Sequence, residues 1–237
     1  MLDERRETRD VRCFELSSRT PFRDRLWKSF RRPVVSIGFI AVLFALVLFS
    51  ACTDYESMIE GDFQSRMLDS RNGQVYDTVT IGAQTWMAQN LNYETPNSFC
   101  YKDNPKNCAK YGRLYSWDAA MVACPAGWHL PSLDEWNELF NVVGVTGSAG
   151  NVLKSTSGWD EDGNGTDAFG FNVLPAGSRG YEGISSSGEG TSAHFWSSTE
   201  SISNNQAETV GFYSDEERVF SGSTIYPLKY SVRCVKD

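Results

Sequence analysis

CPAGWHLPSLDEWNELFNVVG, Cys124 to Gly144, carries a helix whose two ends are both marked in the sequence. Ser132 followed three residues later by Glu135 is a capping box, and Gly144 supplies the left-handed residue that closes a last turn. Between them Leu133, Trp136, Leu139, Phe140 and Val143 recur at helical spacing, so one face is apolar. Asp134 and Glu135 invite reading as a paired acid and base. Carboxylates in a first helical turn satisfy free amides and the helix dipole, which is the better account of them.

Working outward, Leu114, Trp117, Met121 and Cys124 also fall near helical spacing, and Pro125 stops that run. Gln74 to Ile81 alternates, and Gly82 turns the chain into Thr85 to Met87, which predicts a β-hairpin. After Gly144 the pattern changes. Gly144 to Gly150 and Gly183 to Ser192 are Gly/Ser-rich loops, while Phe169 to Leu174, Glu208 to Tyr213, Glu217 to Phe220 and Tyr230 to Val235 read as short strands. Two helices followed by a curled antiparallel sheet make a loop-rich α+β domain over residues 69–237.

The rest of the 237-residue chain is different in kind. Residues 1–32 hold ten Lys/Arg against six Asp/Glu, and residues 52–237 hold twelve against twenty-four. Val34 to Phe49 has no charge and follows Arg31 and Arg32, the layout of an export signal. Leu48, Phe49, Ser50, Ala51 and Cys52 resemble a bacterial lipobox, with Cys52 as the lipidated residue. Phe49 stands where a small or aliphatic side chain is usual, so a retained transmembrane helix is the alternative anchor. The expected organisation is a cytoplasmic and signal segment at 1–51, an acidic tether at 52–68, and an exported domain. The domain's negative charge argues against nucleic acid, because phosphate neutralisation needs a basic surface.

Cys100, Cys108, Cys124 and Cys234 are an even set in a compartment that permits disulfides. Three pairings are open. Cys100 with Cys108 as a short clip, and Cys124 with Cys234 tying the first helix to the last strand, is the favoured one. The long bridge closes a loop that would contribute roughly 4 to 5 kcal/mol.

The runs GQVYDTVTIGAQTWMAQNLNY, CAKYGRLYSWDAAMVACPAGWHLPSLDEWNELF, GNGTDAFGFNVLPAGSRG, FWSSTE and SVRCVKD, in that order, resemble the Fibrobacter succinogenes major paralogous domain, FISUMP. Part of the pattern is similar to C-type-lectin-like domains: Trp117, Ala120 and Cys124, then Gly127, Leu130 and Glu135, with Cys234 in the place of the last-strand cysteine. HLPSLDEW is similar to a run of formylglycine-generating-enzyme-like domains. These resemblances imply a C-type-lectin-like fold. They transfer no activity, since the calcium-dependent sugar motifs of true C-type lectins and the oxidising cysteine pair of formylglycine-generating enzymes are both unrecognisable here.

Two candidate sites follow. Asp160, Asp162 and Asn164 alternate oxygens ahead of Gly165, and Asp167 follows, imitating the start of a calcium loop; Phe171 stands where its closing Glu belongs, so a solvated turn is the plainer reading. Trp159 and Tyr181, in polar loops, are the expected exposed aromatic contacts, with Arg179 and Glu182 beside Tyr181. Trp86, Trp117, Trp136 and Trp196 read as core, and His129 and His194 as hydrogen-bonded structural histidines. No nucleophile, base and metal constellation stands out. The expectation is a lipid-anchored, non-enzymatic cell-envelope module that binds carbohydrate or envelope polymer, with calcium as its candidate cofactor. The alternative is a formylglycine-generating-type enzyme.

Overall fold

A computed structural model describes residues 66–144, 147–181, 185–203 and 205–237. The Val34 to Phe49 segment, Cys52, the tether as far as residue 65, and Glu182 lie outside the described residues. The domain is α+β, with two sheets, four α-helices and two disulfides among those residues. In the first sheet the strands run in the order Arg66–Asp69, Gln74–Ile81, Gln84–Met87, Val235–Lys236, Trp128–His129. In the second the order is Phe220–Ile225, Gln206–Tyr213, Ser192–Glu200, Tyr230–Ser231, Leu114–Tyr115, Ser98–Phe99. Ala176–Arg179 joins Ser192–Glu200 in parallel and pairs with Ser186–Glu189 on its other side. The second sheet is therefore mixed, where an antiparallel one was expected.

The helix Leu133–Val143 forms as its sequence dictates. Ser132 Oγ accepts from the Glu135 amide at 3.2 Å, and Glu135 Oε2 accepts from the Ser132 amide at 2.7 Å. Gly144 ends it at φ 116°. Its buried face, Trp136, Leu139, Phe140 and Val143, packs with Phe195, Val210 and Phe212 of the second sheet and Ile81 and Trp86 of the first. Trp136 lies 4.8 Å from Trp86 and 5.5 Å from Phe195, centroid to centroid. Truncating Leu139 to Ala in such packing costs about 2–5 kcal/mol.

Other expectations need correction. The helix drawn from Leu114 to Cys124 is one turn, Trp117–Ala120. Leu114 and Tyr115 are instead taken by strand pairing with Phe99 and Ser98 and with Ser231 and Tyr230, and the chain after Ala120 tightens into i→i+3 turns. A helix unforeseen in the sequence, Pro105–Tyr111, is capped by Asn104, whose Oδ1 accepts from Lys106 N at 3.1 Å. Another, Ala149–Leu153, begins inside the expected Gly144–Gly150 loop. The expected loop Gly183–Ser192 contains the strand Ser186–Glu189. The strand expected at Glu217 to Phe220 begins at Phe220 and runs to Ile225, because the Glu217 carbonyl accepts from Asn151 N at 3.0 Å instead of a ladder partner. At the other end the domain starts before residue 69: Arg66–Asp69 pairs with Gln74–Asp77 through a turn at Gly73.

Both bridges of the favoured pairing are present, Cys100–Cys108 and Cys124–Cys234. The second joins the end of the Trp117 turn to the segment between the last two strands. Beside it Arg233, only 1% exposed, holds three stretches of chain together. Its guanidinium donates twice to Asn90 Oδ1 (3.1 and 2.7 Å), to the Met87 carbonyl at 3.1 Å, and to the carbonyls of Phe171 and Asn172.

Candidate functional site

Alternation along three neighbouring strands splits the second sheet into two faces. On Ser192–Glu200, Ala193 and Phe195 enter the core beneath the Leu133–Val143 helix, which turns His194 and Trp196 to the other side. On Gln206–Tyr213, Val210 and Phe212 enter that core, which leaves Thr209, Gly211 and Tyr213 outside. Register then brings Gly222 opposite Thr209 and Phe220 opposite Gly211. Tyr230 comes in from the neighbouring strand, stacked on His194 at 4.9 Å and 21°.

The outer face forms an open groove of about 240 Å³. Tyr213, Phe220, Tyr230 and His194 supply rings, Thr209 and Thr224 supply hydroxyls, and Gly211 and Gly222 leave the space between them. Tyr213 stands edge-on to Phe220 at 5.4 Å and to His194 at 5.5 Å. A Cβ placed on Gly222 would meet nothing within 4 Å, so the groove is open there. Burial pulls the His194 pKa down to about 4, with no hydrogen bond or charge contributing. At neutral pH the ring is therefore uncharged, with one nitrogen a donor and the other an acceptor. The expected hydrogen-bonded structural role does not describe this histidine, whose contacts are with rings.

His129 does fit that role. Its ring nitrogens lie 2.7 Å from Asp237 Oδ1 and 2.7 Å from Glu135 Oε1. Burial opposes the charge, but these bonds to Asp237 and Glu135 together outweigh it and raise the pKa. The ring thus links the helix cap to Asp237, next to the last strand, and holds them more strongly when it is protonated. WSSTE lies in the strand Ser192–Glu200, and its Thr199 Oγ1 accepts from Leu133 N at 3.0 Å, at the start of the same helix.

Of the residues singled out in loops, two of the three described beside the calcium loop are buried. Trp159 is 5% exposed, because its indole N–H reaches Ser155 Oγ (3.1 Å) and the Val173 carbonyl (3.0 Å) inside the fold. Arg179 is 6% exposed, its Nη1 donating to Asp103 Oδ1 at 2.6 Å and its guanidinium lying 4.5 Å over Phe99. Tyr181 is exposed as expected, and its carbonyl accepts from Lys229 Nζ at 3.0 Å.

The calcium loop is likewise a turn. Asn164 Oδ1 accepts from Trp159 N at 3.0 Å, and Asp167 Oδ1 accepts from Asn172 N at 2.7 Å. Burial raises the Asp167 pKa, against the Asn172 amide and the Arg233 charge. Asp160 lies against Gly190 instead, and no group of three or more His, Cys, Asp or Glu among the described residues is placed to hold a metal ion. All four described cysteines are in disulfides, so they offer no thiol pair for formylglycine-generating-type chemistry.

Sequence reasoning missed the groove. A signal existed in the period-two run Thr209, Gly211, Tyr213, but an alternating strand does not say which face a helix will cover.

Residues 79–236 match the Fibrobacter succinogenes major domain, and the chain belongs to that family. No curated protein matches the chain, and no solved structure does.

Proposed function

We propose that this Fibrobacter succinogenes major domain protein is a lipid-anchored binding module of the bacterial cell envelope, and that its sheet-face groove takes a carbohydrate or carbohydrate-containing envelope polymer. One observation carries the reading: rings and hydroxyls line an open groove on a sheet whose other face sends Ala193, Phe195, Val210 and Phe212 into the core. Aromatic side chains present large apolar faces with polar tips, which suits the C–H faces and hydroxyl rims of sugar rings. The sequence supports the anchor, since Ser50 and Ala51 sit between an apolar run and a thiol at Cys52. The C-type-lectin-like resemblance agrees with a binding role, although the groove lies on the sheet rather than in the loops first favoured.

Gly222→Leu tests this directly. The new side chain enters open space on an edge strand, where replacing Gly favours folding by roughly 0.5–1 kcal/mol. The full chain in mild detergent is passed over a panel of immobilised polysaccharides. Wild type should show saturable retention on at least one, Gly222→Leu and Tyr213→Ala should lose it, and Tyr181→Ala should keep it. Retention unchanged in Gly222→Leu would remove the groove from consideration.

A further inference from the structure

We infer that the polymer this groove takes is electrically neutral, built of unsubstituted hydroxylated sugars rather than of uronates, sulfated sugars or phosphodiester-linked units. The inference rests on the carbohydrate reading above and narrows its ligand class. None of the residues lining the groove is an Asp, Glu, Lys or Arg. An anion entering it would give up solvent with no opposite charge to meet it, and that cost is large for a carboxylate or phosphate.

The nearby cations are engaged elsewhere. Lys154 Nζ donates to the Tyr213 and Glu216 carbonyls at 3.0 Å each, from the core side of the strand. Lys229 Nζ bonds the Tyr181 carbonyl. Arg218 lies 4.5 Å over the Phe220 ring, but its Nε is 3.2 Å from Glu216 Oε2, so the pair adds no net charge at the rim.

The polar groups that do line the groove agree with a hydroxyl partner. The hydroxyls of Tyr213, Tyr230 and Thr224 each donate and accept, and the neutral His194 ring does one at each nitrogen. Sugar hydroxyls also do both, so any orientation finds a complement. Carboxylate and phosphate oxygens only accept and would face the acceptor nitrogen of His194 unpaired. The titratable groups facing His194 are Tyr213 from one neighbouring strand and Tyr230 from the other; Phe220 and Thr224 come from the edge strand. No carboxylate lines that space to draw a proton onto the ring. At longer range the field repels polyanions, since residues 52–237 carry twelve Lys/Arg against twenty-four Asp/Glu.

The experiment compares the full chain in detergent with neutral polymers (hydroxyethyl cellulose, dextran, mannan) and anionic ones (polygalacturonate, alginate, dextran sulfate) by affinity electrophoresis. Gly222→Leu marks the groove and Arg218→Gln the rim. At neutral pH a neutral polymer should bind, changing less than about twofold between low and high salt, because no charge pair is screened. Arg218→Gln should bind as wild type and Gly222→Leu should not. A polyanion bound instead, weakened about tenfold by salt and lost in Gly222→Leu, would overturn neutrality while leaving the carbohydrate groove in place. Binding of neither class, or binding that Gly222→Leu leaves intact, would sink the groove reading and this inference together.

Discussion

Replacing Arg233 by Met removes a guanidinium that no carboxylate pairs directly, from a site where the side chain is fully enclosed. Burial draws its pKa down to about 9, with the Asp167 charge opposing, so it is still protonated at neutral pH. Loss of a desolvated charge should favour the variant by several kcal/mol. Against that stand the acceptors left behind: Asn90 Oδ1 and the carbonyls of Met87 and Phe171 belong to buried residues and lose the guanidinium as their donor. Each unsatisfied buried acceptor costs about 1–3 kcal/mol, and bonds to a charged donor sit at the upper end. The acceptors win, and Arg233→Met should lose about 3 kcal/mol. Arg233→Lys should do no better, since an ammonium keeps the desolvation cost while its three donors cannot span Asn90 and two carbonyls in the fork's geometry. Urea unfolding followed by tryptophan fluorescence, disulfides intact, measures this as a lower midpoint at unchanged slope. In heat the same loss is roughly 6 to 12 °C for a domain of this size. A Met variant within about 0.5 kcal/mol of wild type would show that the carbonyls are satisfied without the guanidinium, and the account would be wrong.

The two disulfides should differ in weight. The Cys124–Cys234 separation of 110 predicts about 4.8 kcal/mol lost when both become Ala, against about 2.5 for the separation of 8 at Cys100–Cys108. Equal losses in denaturant would contradict the loop-entropy origin. The two histidines should pull stability in opposite directions with pH. His194 titrates near 6.5 unfolded and about 4 folded, so stability falls as pH drops through that window by about 3 kcal/mol, and His194→Gln should flatten the fall. His129 has a raised folded value, so its contribution is complete below 6.5 and disappears as pH rises through the folded pKa. His129→Gln should therefore lose more stability at pH 6 than at pH 9, read as melting temperature. For the anchor, a metabolic fatty-acid label should mark wild type and be absent from Cys52→Ala; label retained in the variant would rule out lipidation at that thiol.

What the sequence made legible was what neighbouring residues decide among themselves. Ser132, Glu135 and Gly144 fix the ends of one helix within thirteen residues of chain, and they behave as written. Trp159 and Arg179 were read as surface contacts because their neighbours are polar, and both are buried. Each has internal partners that only folding brings near: Ser155 and Val173 for the indole, Asp103 and Phe99 for the guanidinium. The groove has the same difficulty in another form. His194, Tyr213, Phe220 and Tyr230 stand on four strands, and their shared face is outer only because the Leu133–Val143 helix takes the other.

Phe169 to Leu174 shows the cause most directly. Its composition reads as a strand, yet only Val173 makes a β-bridge, to Lys154. The backbone groups that a ladder would pair are taken by side chains from elsewhere. Arg233 donates to the carbonyls of Phe171 and Asn172, Asp167 Oδ1 accepts from the Asn172 amide, and Asn172 turns to φ 54° between them. A strand there would leave the guanidinium without two of its acceptors, and a buried unsatisfied charge costs more than a few ladder bonds gain. The local preference for strand is therefore overruled by a residue more than sixty positions away in the chain, one that periodicity in the segment itself cannot report.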